Sequence, residues 1–219
     1  MIIAKSPVRL SFGGGGTDLP AYYEEHGGAV LSVTIDKYFH TVLQEITGRE
    51  IEISSSDYQL HQRIADLDQA NLKDALRIPK AMLQHFGIRS GVLLQLKSDI
   101  PPGSGLGLSG AVATSLARAL GAYAGQAMDK AQVAALATHI ELTVLGRPIG
   151  MQDQYASAHG GLNFLTFDMA GTRVEPVEIG RERLAELRAH LMLFHTGSSR
   201  DSDRNSTRLN SSHDQISYA

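Results

Sequence analysis

The sequence predicts an α+β fold, and three features carry that prediction. Short apolar and β-branched runs of strand character fill the first third of the chain. A charge-free, glycine-rich stretch, PPGSGLGLSGA at 101–111, then separates a further strand from a helix, and a second helix follows the first before strands return. Strands and helices gathered into runs, rather than alternating strictly, are the pattern of an α+β domain.

Taken in order, β-branched and apolar residues place strands at 2–4, 8–12, 29–35, 39–45 and 51–54. Residues 78–86 read as a short helix and 92–96 as a strand leading into the glycine-rich loop. Val112, Leu116, Ala119, Leu120 and Tyr123 recur at helical spacing, as do Val133, Leu136, Ala137, Ile140 and Val144, with Gly125 between the two helices. Strands are expected again at 162–167, 174–177 and 191–194, with a charged helix or turn around 181–188. The first 200 residues contain no internal repeat and no low-complexity tract.

Composition narrows the function classes. The chain has 219 residues, of which 42% are hydrophobic and 20% charged, enough to bury a core. At ~150 residues per domain that is one domain, or one and part of another. The formal charge is −3 with no block of Lys and Arg, so neither nucleic acid nor an anionic membrane is an expected partner. The apolar start is cut short by Ser6 and Pro7 and no run approaches the ~18 apolar residues of a membrane span, so a cytoplasmic protein is expected. Cysteine is absent, which excludes disulfides and thiolate metal sites. The 22 glycines are clustered, and the clusters need a chemical reason.

Residues 105–110 formally match the G-x-G-x-x-G dinucleotide fingerprint. That fingerprint requires a second parallel strand after the helix, with an acid at its end; here another helix follows, with Asp129 at its start. A P-loop would need a lysine within the motif, and the nearest is Lys97, before it. What remains is a loop whose backbone N–H groups, uncrowded at Gly103, Gly105 and Gly107, can wrap an anion at a helix N-terminus, or else a tight turn with Ser109 as N-cap. A second cluster, PVRLSFGGGGTD at 7–18, sets Arg9 on a strand and Asp18 beyond four glycines. It suits close ligand approach, a flexible turn, or a helix cap at Asp18. In a third, GRPIGMQDQ at 146–154, Asp153 follows Glu141 by twelve residues. An acid near a helix C-terminus opposes the dipole, so a bound cation would account for Glu141; a solvated side chain and a helix cap are the plain alternatives for the two acids.

In combination and in this order, SPVRLSFGGGGTDLP, PPGSGLGLSGA and GRPIGMQDQYASAHGG resemble the motifs of the GHMP family of small-molecule kinases, named for galactose, homoserine, mevalonate and phosphomevalonate kinases. Within it, FGGGGTDLPAYYEEHGGAVLSVTID and DQYASAHGGLNF are most similar to the branch acting on D-glycero-D-manno-heptose 7-phosphate, with fucokinases nearby. The resemblance implies the N-terminal domain of that family, an α+β fold of the ribosomal protein S5 domain 2 type, over residues 1–202. It implies transfer of phosphate from ATP, with Mg²⁺, to the anomeric hydroxyl of a sugar or sugar phosphate. Pro102, Gly103, Ser104, Gly105, Leu106, Gly107 and Ser109 would hold the nucleotide, Ser109 and Glu141 the Mg²⁺, and Gly16, Thr17 and Asp18 the sugar. Asp153 would take the hydroxyl proton, and Arg9 would stabilise Asp153 and developing charge. A catalytically silent sugar or nucleotide sensor on the same fold is the rival reading, and retained Asp153, Glu141 and Ser109 speak against it.

The sequence departs from that pattern in two places. Leu108 and Gly110 stand where many relatives of the heptose branch would have hydroxyl residues, so fewer side-chain donors face the phosphates. From Asp203 to Ala219 the chain reads DRNSTRLNSSHDQISYA, which resembles a translated sequencing-library adapter with Asp214-Gln215 as its index. We expect 203–219 to be an artefact of assembly and the family's C-terminal domain to be largely missing.

Overall fold

The computed structural model describes residues 1–194; the adapter-like stretch 203–219 lies outside them. Two long strands organise the sheet. β1 (Ile2–Gly13) runs antiparallel to β2 (Gly28–Glu45) along nearly the whole of both. The other side of β2 is shared. β6 (Leu162–Asp168) pairs antiparallel with its first part, Gly28 to Val33, and β5 (Val92–Ser98) with its last, Phe39 to Glu45. β3 (Ile51–Ser55) lies parallel to β5 and antiparallel to β4 (Leu60–Ile64), and β7 (Gly171–Pro176) closes the far end against β6.

The separate strands expected at 2–4 and 8–12 are therefore one strand, as are those expected at 29–35 and 39–45. The joins are irregular. Between Pro7 and Arg9 the register slips against Thr34 to Tyr38, and across the slip the buried positions of β2 change from Val30 and Ser32 to Phe39, Thr41 and Leu43. The slip moves the inward face from even to odd numbers, so both halves of β2 keep apolar residues on the core side. β4 was not expected, since LHQRI alternates only weakly. The strand expected at 191–194 is absent: those residues have no regular structure, and Leu191, Met192, Leu193 and Phe194 are exposed.

Helices cover one face of the sheet. α3 (Leu108–Tyr123) is the central one, touching β1, β2, α2 (Arg77–His85), α4 (Lys130–Thr138) and α5 (Gln152–His159). Its small residues Gly110, Ala111, Ala113, Ala117 and Ala119 are buried, which lets neighbours approach on several sides, while Leu116 and Leu120 fill the core between them. Its buried polar groups are satisfied: Ser115 Oγ donates to Thr41 Oγ1 (2.9 Å), and Thr114 Oγ1 to Gly110 O (2.8 Å). α4 starts on a capping box between Asp129 and Gln132 and runs into a π-helical turn, His139–Val144. α1 (Pro20–His26) and α6 (Arg181–Ala189) lie at the periphery without buried residues. Among the described residues no helix is long and apolar enough to cross a membrane.

Leu116 is wholly buried, whereas Val144 is 44% exposed. In urea unfolding, Leu116→Ala should cost about 2–5 kcal/mol and Val144→Ala within about 0.5 kcal/mol; equal costs would place the core elsewhere.

Candidate active site

The loop between β5 and α3 is built on three left-handed residues, Gly103 (φ 76°), Gly105 (φ 77°) and Gly107 (φ 72°). Side chains other than glycine rarely adopt that conformation, which explains the alternation of glycines. Leu106, between two of them, is buried in the core and pins the loop, and its carbonyl accepts the backbone N–H of Arg9 (2.9 Å). Gly107 is the N-cap of α3, so Ser109 lies inside the first turn and is not the cap. Its hydroxyl instead hydrogen-bonds Glu141. Ser104 Oγ is buried among the loop residues with no protein partner.

Two further close approaches bring α5 to this loop. A Cβ on Gly110 would lie 2.6 Å from the carbonyl carbon of Asp153, and one on Gly107 would lie 3.1 Å from both Arg9 Cγ and Asp153 Cγ. The absence of a side chain at Gly110 is thus what lets the first turn of α5 sit against the first turn of α3. There Asp153 Oδ1 receives Arg9 Nε (2.7 Å) and a second guanidinium nitrogen (2.5 Å), while Arg9 also donates to Gly105 O (2.8 Å). The two side chains are 12% and 22% exposed, so the pair is shielded yet reachable. Asp153 is therefore not a helix cap.

Glu141 is fully buried in the π-helical turn, contrary to a solvated side chain. Its carboxylate is held by Arg147, by Gln154 Nε2 (2.6 Å) and by Ser109. Burial pushes its pKa up, against the lowering effect of those three partners. Asp18 is almost as buried and is not a helix cap either: α1 is capped at Leu19. Asp18 Oδ1 accepts Gly16 N (3.0 Å) and Oδ2 accepts Gln152 N (2.9 Å), and any side chain at Gly150 would overlap the carboxylate. Thr17 Oγ1 donates to Gly14 O (2.8 Å) and accepts Ala29 N (3.0 Å), anchoring the glycine-rich turn to β2.

A cleft of about 450 Å³ gathers Arg9, Pro102, Gly103, Ser104, Gly105, Gly107, Ser109 and Asp153. Leu106, Glu141, Gly16, Thr17 and Asp18 lie outside its lining: Glu141 is joined to it through Ser109, and Asp18 through Gln152, next to Asp153. The opposite wall, residues 73–79, was not foreseen. It is fixed by the buried Lys80, whose Nζ donates to the partly exposed Asp74 Oδ2 (2.5 Å) and to Asn71 O (3.2 Å). Arg147, Gln152 and Gln154 were missed as site residues although the quoted motif contains them, because nothing in their spacing shows which acid each one grips.

The donors suit a polyphosphate. Backbone N–H groups at a helix N-terminus, an unpartnered Ser104 hydroxyl and the basic Arg9, Lys73 and Arg147 all border the cleft. Among the described residues no three acidic or histidine side chains form a metal cage. Mg²⁺ does not need one, since it takes one or two carboxylates and completes its shell with phosphate and water. Ser109 and Glu141, already in contact, meet that requirement.

Gly110→Ala should force α3 and α5 apart and lower stability by about 1–3 kcal/mol in urea unfolding; no loss would mean the helices do not meet there. Burial, opposed chiefly by the Gln152 hydrogen bond, raises the pKa of Asp18. An acid raised on folding loses stability by ionising. The cost is absent below the unfolded value, grows through the window up to the folded value and is full above it. The stability of Asp18→Asn relative to wild type should therefore improve as the pH rises above the ordinary aspartate value of about 4. A difference independent of pH would show that Asp18 is not desolvated.

Residues 72–161 match the family model described as "GHMP kinases N terminal domain". The D-glycero-alpha-D-manno-heptose 7-phosphate kinase of Campylobacter jejuni is 31% identical over 206 residues, 91% of this chain and 61% of that protein. The L-fucokinase/L-fucose-1-P guanylyltransferase of Bacteroides fragilis is 29% identical over 200 residues, 75% of this chain and 20% of that one. Among solved structures, a D-glycero-D-manno-heptose 1-phosphate kinase from Bacteroides thetaiotaomicron superposes with a TM-score of 0.78 at 29% identity, covering 85% of this chain and 63% of its own. The chain thus spans less than two thirds of these relatives. The order of the three glycine-bearing motifs, the sheet and the matched segment agree: this chain carries the N-terminal domain of the GHMP kinases.

Proposed function

We propose that the protein to which this domain belongs is an ATP-dependent kinase that phosphorylates the anomeric hydroxyl of a sugar, with D-glycero-D-manno-heptose 7-phosphate as the preferred acceptor. The observation that carries the reading is the Arg9–Asp153 pair beside the loop of left-handed glycines, a carboxylate positioned where a phosphate cradle ends. The choice of sugar rests on similarity to the Campylobacter jejuni kinase.

On this reading the loop from Pro102 to Gly107 and Ser109 hold the triphosphate with backbone donors and the α3 dipole. Ser109 and Glu141 would hold Mg²⁺, which would supply neutralisation of phosphate charge. Asp153 orients the sugar hydroxyl and accepts its proton as the oxygen bonds to the γ-phosphorus and the bond from phosphorus to the β–γ bridging oxygen breaks, releasing ADP. Arg9 keeps Asp153 aimed through its hydrogen bonds to Oδ1. Gly16, Thr17 and Asp18 form the turn beside the sugar, with the Asp18 carboxylate fixed by two backbone donors to accept from its hydroxyls. We assign residues 1–202 to this domain, with the activity belonging to the complete protein.

In the full-length protein, Asp153→Ala should reduce kcat by about 10²–10⁴ while leaving ATP affinity within a few-fold, measured by coupled ADP release and calorimetry. A silent sensor would show no turnover in either form. Assayed with heptose 7-phosphate, fucose, galactose and mevalonate, the heptose phosphate should give the highest kcat/KM; phosphorylation of mevalonate alone would overturn the sugar assignment.

A further inference from the structure

The carboxylate of Glu141 already has a cation. Arg147 donates to its Oε1 from within the protein, Gln154 Nε2 occupies Oε2 at 2.6 Å, and Ser109 supplies a third hydrogen bond. A carboxylate has about four lone-pair sites, so this one is nearly saturated. A divalent ion approaching it would also meet the guanidinium charge at close range in a site with little water to screen it. Arg147 and a metal ion are therefore competitors for Glu141.

The surroundings of Arg147 suit an exchange. Its side chain is 11% exposed and lines the same cleft as Ser109, Ser104 and Asp153, so a turn of its torsions carries the guanidinium along the cleft wall and not into the core. Its backbone is fixed independently, with Arg147 N donating to Glu141 O (3.0 Å) and Ile149 N to Arg147 O (3.0 Å). Fully buried Gln154 holds the other carboxylate oxygen, so Glu141 keeps its orientation when Arg147 leaves.

We infer that Arg147 is a placeholder cation: it neutralises Glu141 in the ligand-free protein and releases it to the divalent ion when metal and nucleotide bind, turning to the phosphates in the cleft. This rests on the reading that Ser109 and Glu141 receive the metal. It makes Arg147 a positioning residue that spares the site a bare buried carboxylate between turnovers and that disfavours metal binding without nucleotide.

The test is Mn²⁺ binding to the full chain without nucleotide, read from the electron paramagnetic resonance signal of the free ion. Arg147→Gln should bind Mn²⁺ about tenfold tighter than wild type, because the competent form of Glu141 is no longer a minor population. Arg147→Lys, which keeps the charge, should stay near wild type, and the gain should vanish in Arg147→Gln/Glu141→Gln. Arg147→Gln should also be the less stable protein and regain its melting temperature with Mn²⁺. Unchanged or weaker Mn²⁺ binding in Arg147→Gln overturns the inference, as does a gain that survives loss of Glu141 or a variant that stays unfolded at saturating Mn²⁺. A parallel titration with Mn²⁺ and ADP separates the two readings. If Glu141→Gln weakens that complex but Arg147→Gln does not tighten the empty site, only the placeholder fails. If neither metal nor nucleotide binds wild type, the kinase reading fails with it.

Discussion

Arg9 of β1 is bonded at once to the carboxylate of Asp153 and to the carbonyl of Gly105, residues 144 and 96 positions away in sequence. That single guanidinium ties the first strand, the glycine-rich loop and the first turn of α5 together, and the rest of the architecture is arranged so that they can meet. Gly107 and Gly110 leave the room that the approach requires, Leu106 anchors the loop from below, and the register slip at Pro7 and Arg9 turns the strand at the contact. A partly shielded, multiply bonded pair of this kind is worth more than a fully exposed ion pair of equal length, since solvent screens it less and competes less for its donors.

α5 opens with Gln152-Asp153-Gln154, and these three consecutive side chains reach three different parts of the site. Gln152 meets Asp18, Asp153 meets Arg9, and Gln154 meets Glu141. Successive residues at a helix start project about 100° apart, so one turn can organise three carboxylates without letting them crowd one another. The two outer acids are buried and their ionised forms disfavoured; the middle one opens on the cleft. The amides grip without adding charge, which keeps a cluster of acids compatible with a folded interior.

Much of this was legible in the sequence. Strand positions followed from β-branched runs, α3 and α4 from helical spacing, and the loop from glycines that have no reason to alternate unless the backbone turns left-handed. Arg9, Ser109 and Asp153 lie in the three motifs that carry the resemblance and Glu141 is implied by it from outside them; the structure brings the four side chains into one neighbourhood. What escaped was what tertiary packing alone decides. Bulges fused pairs of predicted strands because register is set by partners, not by local pattern. Gly110 was read as a lost hydroxyl, whereas its absent side chain makes the α3–α5 contact possible. The strand expected at 191–194 had apolar composition but pairs with no strand among the described residues, and Arg147 and the two glutamines were invisible as site residues because their partners lie on other elements.

The separation between Arg9 and Asp153 also sets an order of events during synthesis. β1 and β2 pair over a short stretch of chain and can form as soon as they emerge, but the helix that completes the contact is made more than a hundred residues later, and loop-closure entropy delays such long-range contacts. Until α5 docks, the glycine-rich loop has an arginine beside it and not yet the Asp153 carboxylate. A nascent chain can therefore present an anion-binding cradle well before it has the group that would act on a bound ligand.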